Sequence, residues 1–137
     1  SFSIRRADGT LVFDSGDQFE QKIAELRPDV FNSDGTAASF NTRSDNKGPE
    51  PEGIAIGKVF DRTYAFIGLE RTGCIMVYDI TNPRRPFFVE YANTSPSDIS
   101  PEGILFISRK DSPNGKALLV VSHEISNTTT IYEINKK

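Results

Sequence analysis

The chain has 137 residues, a length typical of one domain, and its 36% hydrophobic and 26% charged residues exclude bulk disorder. Its formal net charge of -3 and pI near 5.2 argue against nucleic-acid binding, because such proteins concentrate Lys and Arg on one face. No apolar run approaches the roughly 20 residues of a membrane-spanning helix, so this segment is not expected to insert into a membrane.

The first element in chain order is a predicted β-hairpin. β-prone segments at residues 2–5 and 11–13 flank an Asp-Gly dipeptide at positions 8 and 9. Asp-Gly between two such segments is a strong hairpin signal, because these residues readily adopt the backbone angles of the turn. The chain is therefore expected to open with two short antiparallel strands.

A short amphipathic helix is predicted near residues 17–26. Phe19, Ile23 and Leu26 recur with helical spacing and form one apolar stripe. Ser15, followed by a glutamine three residues later, matches a capping box at the start of the helix. The stripe is expected to pack against the β-sheets.

Residues 32–52 are predicted to form a long loop, because Asn, Ser, Asp, Gly, Thr and Pro dominate this segment. Phe40 is its expected apolar anchor, and long ordered loops in compact domains often carry function. Arg43 and Lys47 in this loop could contact a phosphate or another ligand. Alternatively, they could pair with Glu50 and a nearby aspartate and fix the loop in place.

The tetrapeptide Pro-Glu-Gly-Ile occurs twice, at residues 51–54 and 101–104. Each copy is followed by a similar succession of strand-like segments separated by turn signals. A self-similar unit of about 50 residues with several short strands is typical of a β-propeller blade. The first copy is followed by four predicted strands and the second by three.

These repeats predict an all-β, propeller-like fragment of about nine antiparallel strands in blade-like sheets, with the one short helix. Residues 53–92 would form a full blade and residues 101–137 a partial blade. The opening hairpin, within residues 1–14, resembles the last two strands of a preceding blade. Residues 1–137 are thus expected to be one domain and the C-terminal fragment of a larger propeller-like domain.

Four glutamates repeat between the two predicted blades. Glu52 and Glu102 stand just before the first strand of each blade, and Glu70 and Glu124 stand at the ends of the second strands. Carboxylates gathered from adjacent blades are the hard oxygen ligands that suit Ca²⁺. The alternative is that each glutamate accepts hydrogen bonds from nearby backbone N–H groups. Both interpretations stay open at this stage.

The chain has one histidine and one cysteine, the two other side chains that could carry chemistry. His123 takes the place of Leu69 of the first repeat, where it could be a general base or ligand contact or a partly buried strand residue. Cys74 has no partner for a disulfide within the chain and no histidine nearby in sequence, which favours a structural thiol over a nucleophile.

The run Arg-Ser-Asp-Asn-Lys-Gly-Pro-Glu-Pro-Glu-Gly at residues 43–53 is the most specific of several segments that resemble the choice-of-anchor I family. The resemblance covers nearly the whole chain. The other matching segments are residues 2–4, 11–17, 64–71, 75–80, 118–121 and 128–134.

The resemblance implies a bacterial protein that is secreted or anchored at the cell surface, with a propeller-like repeat domain. The family is related to mesenchyme-specific cell-surface glycoproteins, and its members are often labelled alkaline phosphatases. The resemblance therefore implies two hypotheses. The first is a non-catalytic extracellular module for binding or structural display. The second is part of a calcium-dependent, alkaline phosphatase-like or phytase-like phosphoester hydrolase, with its site completed by further blades.

The expected partners follow from the incomplete ring of blades. The remaining blades of the parent protein would cover the exposed sheet edges, and a second copy of the chain could also do so. By itself, the fragment is not expected to be an active enzyme.

Overall fold

The computed structural model describes residues 1–93 and 97–136. In these residues, nine strands form three antiparallel sheets, accompanied by one α-helix and two short 3₁₀ turns, Pro28–Val30 and Ala37–Ser39. The helix is α1 (Gln18–Leu26). The strands are β1 (Ser3–Arg5), β2 (Leu11–Asp14), β3 (Pro51–Val59), β4 (Arg62–Leu69), β5 (Cys74–Asp79), β6 (Phe87–Asn93), β7 (Pro101–Ile107), β8 (Leu118–His123) and β9 (Thr128–Glu133). The predicted all-β, propeller-like fragment with one short helix is confirmed.

The three sheets follow the chain order without crossovers. Strands β1 and β2 form the predicted hairpin, which we call sheet A, and its turn glycine has a positive φ of 86°. Sheet B has the order β3-β4-β5-β6, and sheet C has the order β7-β8-β9. Sequential strands joined by short turns give each sheet the meander arrangement of a propeller blade.

The repeated tetrapeptide produces the same backbone geometry in sheets B and C. Pro51 pairs with Leu69 and Pro101 pairs with His123, and the register shifts immediately after each proline. Glu52 and Glu102 therefore lie inside β3 and β7, not just before them as predicted. The strands begin earlier because the register shift accommodates the Glu-Gly pair within the ladder.

One face of sheet B packs against the N-terminal elements. Alternate β4 residues Ala65, Ile67 and Leu69 join Phe2 of the hairpin and Phe19 of the helix in one buried cluster. The other buried members of this cluster are Ile23, Cys74, Met76 and Tyr78. The helix stripe thus docks on the sheet as predicted.

The predicted end of the helix stripe and its predicted cap are wrong. Leu26 is 42% exposed, because the helix ends there and the chain turns away. The N-cap residue is Asp17, which makes no side-chain capping hydrogen bond. The Ser15 hydroxyl instead accepts a hydrogen bond of 2.9 Å from the Phe2 backbone N–H, which ties the hairpin to the start of the helix.

The opposite face of sheet B packs against sheet C. Phe66 and Ile75 of sheet B form a second buried cluster with Leu119 and Val121 of sheet C. Two aromatic rings meet there in parallel, with the Phe66 and Phe106 centroids 5.9 Å apart. The two sheets are therefore joined by a continuous apolar core, as adjacent blades are.

The long loop has a different anchor from the one predicted. Phe40 is 52% exposed and its ring lies beside that of Phe31, whereas Val30 and Ser33 are buried. The prediction failed because an apolar side chain in a polar segment need not reach the core. Within residues 1–93 and 97–136, no helix is both long and apolar enough to cross a membrane.

Candidate functional site

Three carboxylates meet where the long loop joins the start of β3. Glu50, Glu52 and Glu70 each place a carboxylate oxygen within 4.8 Å of the others, and we call this group the carboxylate cluster. Glu50 precedes β3, Glu52 lies in β3, and Glu70 directly follows β4. The cluster is fixed by the backbone, since the Glu70 N–H donates to the Glu50 carbonyl at 3.0 Å.

Glu50 is the buried centre of the cluster, with 4% of its surface exposed. Its carboxylate accepts from Lys47 Nζ at 2.5 Å, Arg43 Nη2 at 2.6 Å and Arg71 Nε at 2.8 Å. Burial acts to raise the pKa of Glu50, but the hydrogen bonds and charges of Lys47 and Arg71 outweigh it and hold the pKa below its usual value. Glu50 is therefore ionised and fully paired.

The same contacts bear on the two predictions made for the loop cations. Arg43 also donates to the Gly48 carbonyl at 3.4 Å, so its guanidinium fixes the loop on which it lies. Lys47 has its pKa raised, first by its hydrogen bond to Glu50 and then by the charge of Glu50. Both cations thus pair with Glu50, which is the arrangement of the second alternative, and their contact with a phosphate or another ligand stays a prediction.

Glu70 links the cluster to sheet C. Its Oε1 lies 3.1 Å from Arg71 Nη1 and accepts a hydrogen bond of 3.2 Å from the buried Ser100 hydroxyl. Ser100 immediately precedes β7, and it is the repeat equivalent of Glu50. Both residues have a positive φ, 56° for Glu50 and 67° for Ser100. Sheet C therefore contributes the Ser100 hydroxyl to the cluster, from the position that Glu50 occupies in sheet B.

Glu52 is the exposed member of the cluster. The charge of Glu70 raises the pKa of Glu52, and partial desolvation and the charge of Glu50 add to this effect. Two carboxylates held this close repel each other, and either a proton or a cation relieves the repulsion. Glu52 is consequently the cluster residue whose charge responds most readily to its surroundings.

The structure brings two of the four predicted metal ligands together and leaves two apart. Glu52 and Glu70 meet in the cluster, whereas Glu102 and Glu124 are exposed and lie outside it. The repeat makes Glu102 equivalent to Glu52, and the Gly53 backbone packs close to the Glu102 carbonyl. Equivalent positions in adjacent sheets need not place their side chains in contact.

The cluster matches only part of a calcium site. Ca²⁺ takes 6–8 oxygen ligands in proteins. Both oxygens of Glu50 already accept from cations, which leaves Glu52 and Glu70 as the two carboxylates able to hold a metal. Three carboxylates against Arg43, Lys47 and Arg71 make the group a balanced ion-pair network.

Sequence reasoning missed two members of this network and part of the role of a third. Glu50 was considered only as a loop partner, and neither Arg71 nor Ser100 was considered. The signal was present, because Glu50 and Ser100 each stand directly before a repeated proline and Arg71 directly follows Glu70. Comparing the residues that flank the repeated tetrapeptide would have found them.

His123 lies at the end of β8, with 4% of its surface exposed. Neither ring nitrogen has a hydrogen-bond partner within the described part of the chain. Burial lowers the pKa of His123, although the nearby Asp98 charge opposes this. The ring is thus a buried, neutral strand histidine.

Cys74 begins β5 and is completely enclosed by the helix-side core. Burial raises the pKa of the Cys74 thiol to about 11, against weaker opposing hydrogen bonds from Tyr91 and Thr72. A thiol with such a pKa is a poor nucleophile. The prediction of a structural cysteine agrees with this environment.

Comparison with protein families matches the choice-of-anchor I domain to residues 1–83, more than half of the chain. The chain belongs to the choice-of-anchor I family. This match contains the hairpin, the helix, the long loop and β3 to β5, and therefore includes all three residues of the carboxylate cluster.

Two curated proteins are similar to this chain. Gigasin-3a of Magallana gigas is 27% identical over 97% of the chain and 55% of its own length. The mesenchyme-specific cell surface glycoprotein of Strongylocentrotus purpuratus is 33% identical over 82 residues, which are 52% of the chain and 10% of that protein. The chain thus spans about half the length of one relative and a tenth of the other. No solved structure matches significantly.

The relatives bear on the origin expected from the family resemblance. Both come from animals, a mollusc and a sea urchin. They give no support to the expected bacterial origin. Neither name contains a reference to phosphatase activity.

Proposed function

We propose that this chain is a non-catalytic module of an extracellular or cell-surface protein, with a structural or binding role. The observation that carries the proposal is its similarity, within the choice-of-anchor I family, to a protein named as a cell surface glycoprotein. The similarity to that glycoprotein covers half of the chain, and the similarity to Gigasin-3a covers nearly all of it.

The geometry of the polar residues supports a non-catalytic role. Arg43 and Lys47, the two cations that could have bound a phosphate, are engaged with a buried carboxylate of the same chain. His123 and Cys74 are buried. Burial lowers the pKa of His123 and raises the pKa of Cys74, which favours the neutral form of each side chain. An acid, base or nucleophile in catalysis needs access to substrate and a suitable pKa.

In this proposal the chain is one part of a larger propeller-like domain. Sheet B is the complete blade, sheet C a partial blade, and sheet A the end of a preceding one. The ion-pair network would hold the long loop against the junction of sheets B and C, since Glu70 contacts both Arg71 and Ser100. Such a module presents fixed loops at a surface.

The location can be tested with an antibody raised against the folded chain. Intact and permeabilised cells of the source organism are labelled in parallel, with an antibody against a cytosolic protein as the control. We expect equal labelling of intact and permeabilised cells, or recovery of the protein from the surrounding matrix. Labelling that appears only after permeabilisation would contradict the proposal.

A second candidate function is calcium-dependent phosphoester hydrolysis, which the Glu52–Glu70 pair favours. A cation between these carboxylates would relieve the repulsion that raises the pKa of Glu52. Bound Ca²⁺ would polarise phosphoryl oxygens and activate water. Further ligands and the substrate site would have to come from other blades of the parent protein.

Calorimetric titration with Ca²⁺ separates the two candidates. In the full-length parent, the hydrolase candidate predicts binding that the Glu52→Gln substitution abolishes and that the Glu102→Gln substitution, made at the equivalent position outside the cluster, retains. The structural module predicts no binding by any of the three proteins. Phosphatase activity is then measured on the full-length parent.

A further inference from the structure

Three exposed arginines from two separate turns line one pocket. Arg5 ends β1 and Arg6 follows it, whereas Arg84 lies in the turn between β5 and β6. We call these three residues the arginine patch. The pocket has a volume of about 330 Å³, and its apolar lining residues are Ile4, Val12 and Pro83. The fold thus gathers around one pocket cations that are far apart in the sequence.

The arginines of the patch are not used for internal ion pairs. None of the three pairs with a carboxylate within residues 1–93 and 97–136. Asp8, at the tip of the same hairpin, instead accepts a hydrogen bond of 2.9 Å from the Thr10 backbone N–H. Other arginines of the chain do pair with a carboxylate, namely Arg27, Arg43, Arg62 and Arg71. The patch therefore concentrates positive charge that no carboxylate neutralises, on a chain whose formal net charge is -3.

Both turns that carry the patch are held by their own hydrogen bonds. In the hairpin, the Arg6 backbone N–H donates to the Thr10 carbonyl at 2.9 Å. In the second turn, the Arg84 backbone N–H donates to the Asn82 side-chain oxygen at 3.1 Å. The arginines are thus presented from a fixed backbone, which lowers the entropic cost of binding a ligand.

The lining of the pocket indicates the chemical class of its ligand. Guanidinium groups bind sulfate, phosphate and carboxylate oxygens through paired hydrogen bonds. The apolar lining residues offer contacts that a small inorganic anion cannot use but a sugar ring can. None of the described lining residues is aromatic, whereas proteins that bind single-stranded nucleic acid stack its bases on aromatic side chains. A sugar ring that carries sulfate or carboxylate groups suits both the cations and the apolar residues.

We propose that the arginine patch binds an acidic polysaccharide of the cell surface or extracellular matrix. One sulfated or carboxylated ring occupies the pocket, and acidic groups of that ring and its neighbours accept hydrogen bonds from Arg5, Arg6 and Arg84. The inference deepens the proposed function, since it rests on the extracellular location and the binding role and names the class of partner.

Heparin oligosaccharides are the probe, because they present sulfate and carboxylate groups on a chain of sugar rings. They are titrated into the isotopically labelled chain and followed by amide and arginine side-chain NMR. The buffer contains about 150 mM salt, which screens weak attraction between exposed charges. Dextran oligosaccharides of the same length are the uncharged control. We expect shift changes at the turn between β1 and β2 and at residues 82–85 with heparin, and none with dextran.

Matched arginine variants test the place of binding. Arg5 Nη1 donates to the Gly9 carbonyl at 3.0 Å, and Arg109 Nε donates to the Gly115 carbonyl at 3.3 Å in the hairpin of sheet C. Arg5→Gln and Arg109→Gln thus remove the same charge from similar turns, of which only the first lines the pocket. We expect Arg5→Gln and Arg84→Gln each to weaken heparin binding by at least about threefold, and Arg109→Gln to leave it unchanged. The thermal midpoint of each variant establishes that it is folded.

Four results would overturn the proposal. One is no shift change with heparin up to about 1 mM. Another is an equal loss of affinity in Arg109→Gln, which would indicate attraction to positive charge in general. The third is tighter binding of polyglutamate or of a DNA oligonucleotide of the same charge, which would assign the patch to another class of partner. The fourth is binding by the chain but not by the full-length parent, which would mean that other parts of the parent cover the patch.

These results are independent of the cell-surface labelling. Labelling of intact cells without heparin binding would refute the patch alone. Labelling that appears only after permeabilisation would contradict the proposed function, whatever the arginine patch binds in solution.

Discussion

The ring of Phe106 lies directly over the backbone of Gly57. A Cβ atom at Gly57 would lie 2.4 Å from Cδ2 of that ring, closer than real Cβ contacts come. Gly57 belongs to β3 and Phe106 to β7, so their contact sets how closely sheets B and C approach. The absence of a side chain at Gly57 is thus a requirement of blade packing, since its φ does not need glycine.

Replacing Gly57 by alanine should destabilise the chain by about 1–3 kcal/mol, because the added methyl group overlaps the Phe106 ring. The free energy of unfolding is measured by urea denaturation. In the Phe106→Ala background the same substitution should cost much less, since the overlapping ring is gone. An equal cost in both backgrounds would show that the two sheets do not pack as described.

The Glu50→Gln substitution should lower the free energy of unfolding by about 2–3 kcal/mol. The amide leaves Arg43, Lys47 and Arg71 without their shared counter-charge at a site that is nearly closed to solvent. The loss is smaller than for a fully buried pair because Lys47 and Arg71 reach water.

Asp45→Asn is the matched control for Glu50→Gln, because it removes a carboxylate from an exposed position of the same loop. Its unfolding curve should coincide with that of the wild type. If Glu50→Gln also coincided with the wild type, the ion-pair network would not be what fixes the loop.

His123 should make stability fall as the pH drops below 6.5. Its pKa is lower in the folded chain than the ordinary value of 6.5, so the unfolded chain takes up the proton first. Its stabilising effect is complete above pH 6.5 and is lost as the pH falls toward the folded pKa. Chemical denaturation at about pH 7.5 and about pH 5.5 measures the difference.

The His123→Leu variant supplies the residue found at the equivalent position of the first blade, Leu69. It should reduce the pH dependence between these two conditions and be at least as stable as the wild type at about pH 5.5. An unchanged pH dependence would mean that the pKa of His123 is the same in the folded and the unfolded chain.

Cys74 should resist thiol reagents in the folded chain and react on unfolding. Its side chain is buried and its pKa is about 11, so very little thiolate is present near neutral pH. Reaction with a chromogenic disulfide reagent, with and without denaturant, measures the difference. Rapid reaction without denaturant would contradict the burial of β5.

Local sequence signals were sufficient to predict most of the fold. The Asp-Gly turn, the Phe19 and Ile23 spacing, and the alternating strands around the repeated tetrapeptide each act over a few residues, so their structures follow from short-range chemistry. The details that failed depend on longer contacts. The Ser15 hydroxyl accepts a hydrogen bond from the Phe2 backbone N–H across the hairpin instead of capping the helix.

The candidate site was only partly predictable. Glu52 and Glu70 could be selected because they recur, and they do meet. A repeat, however, identifies equivalent positions and does not say which of them touch, so Glu102 and Glu124 were grouped with them. The burial of Glu50 depends on the path of the long loop and on a left-handed backbone, neither of which the residue types dictate.

If the carboxylate cluster is an internal ion-pair network of a structural module, as we propose, its glutamates should titrate in the same way with and without Ca²⁺. Carboxyl-detected NMR titration of the glutamate side chains, with and without about 5 mM Ca²⁺, tests it most directly, since extracellular calcium modules bind with dissociation constants up to about 1 mM. We expect a Glu50 pKa below 4.5 and a Glu52 pKa above 4.5, both unaffected by Ca²⁺. A Glu50 pKa at or above 4.5, or a Glu52 pKa that falls when Ca²⁺ is added, would contradict it.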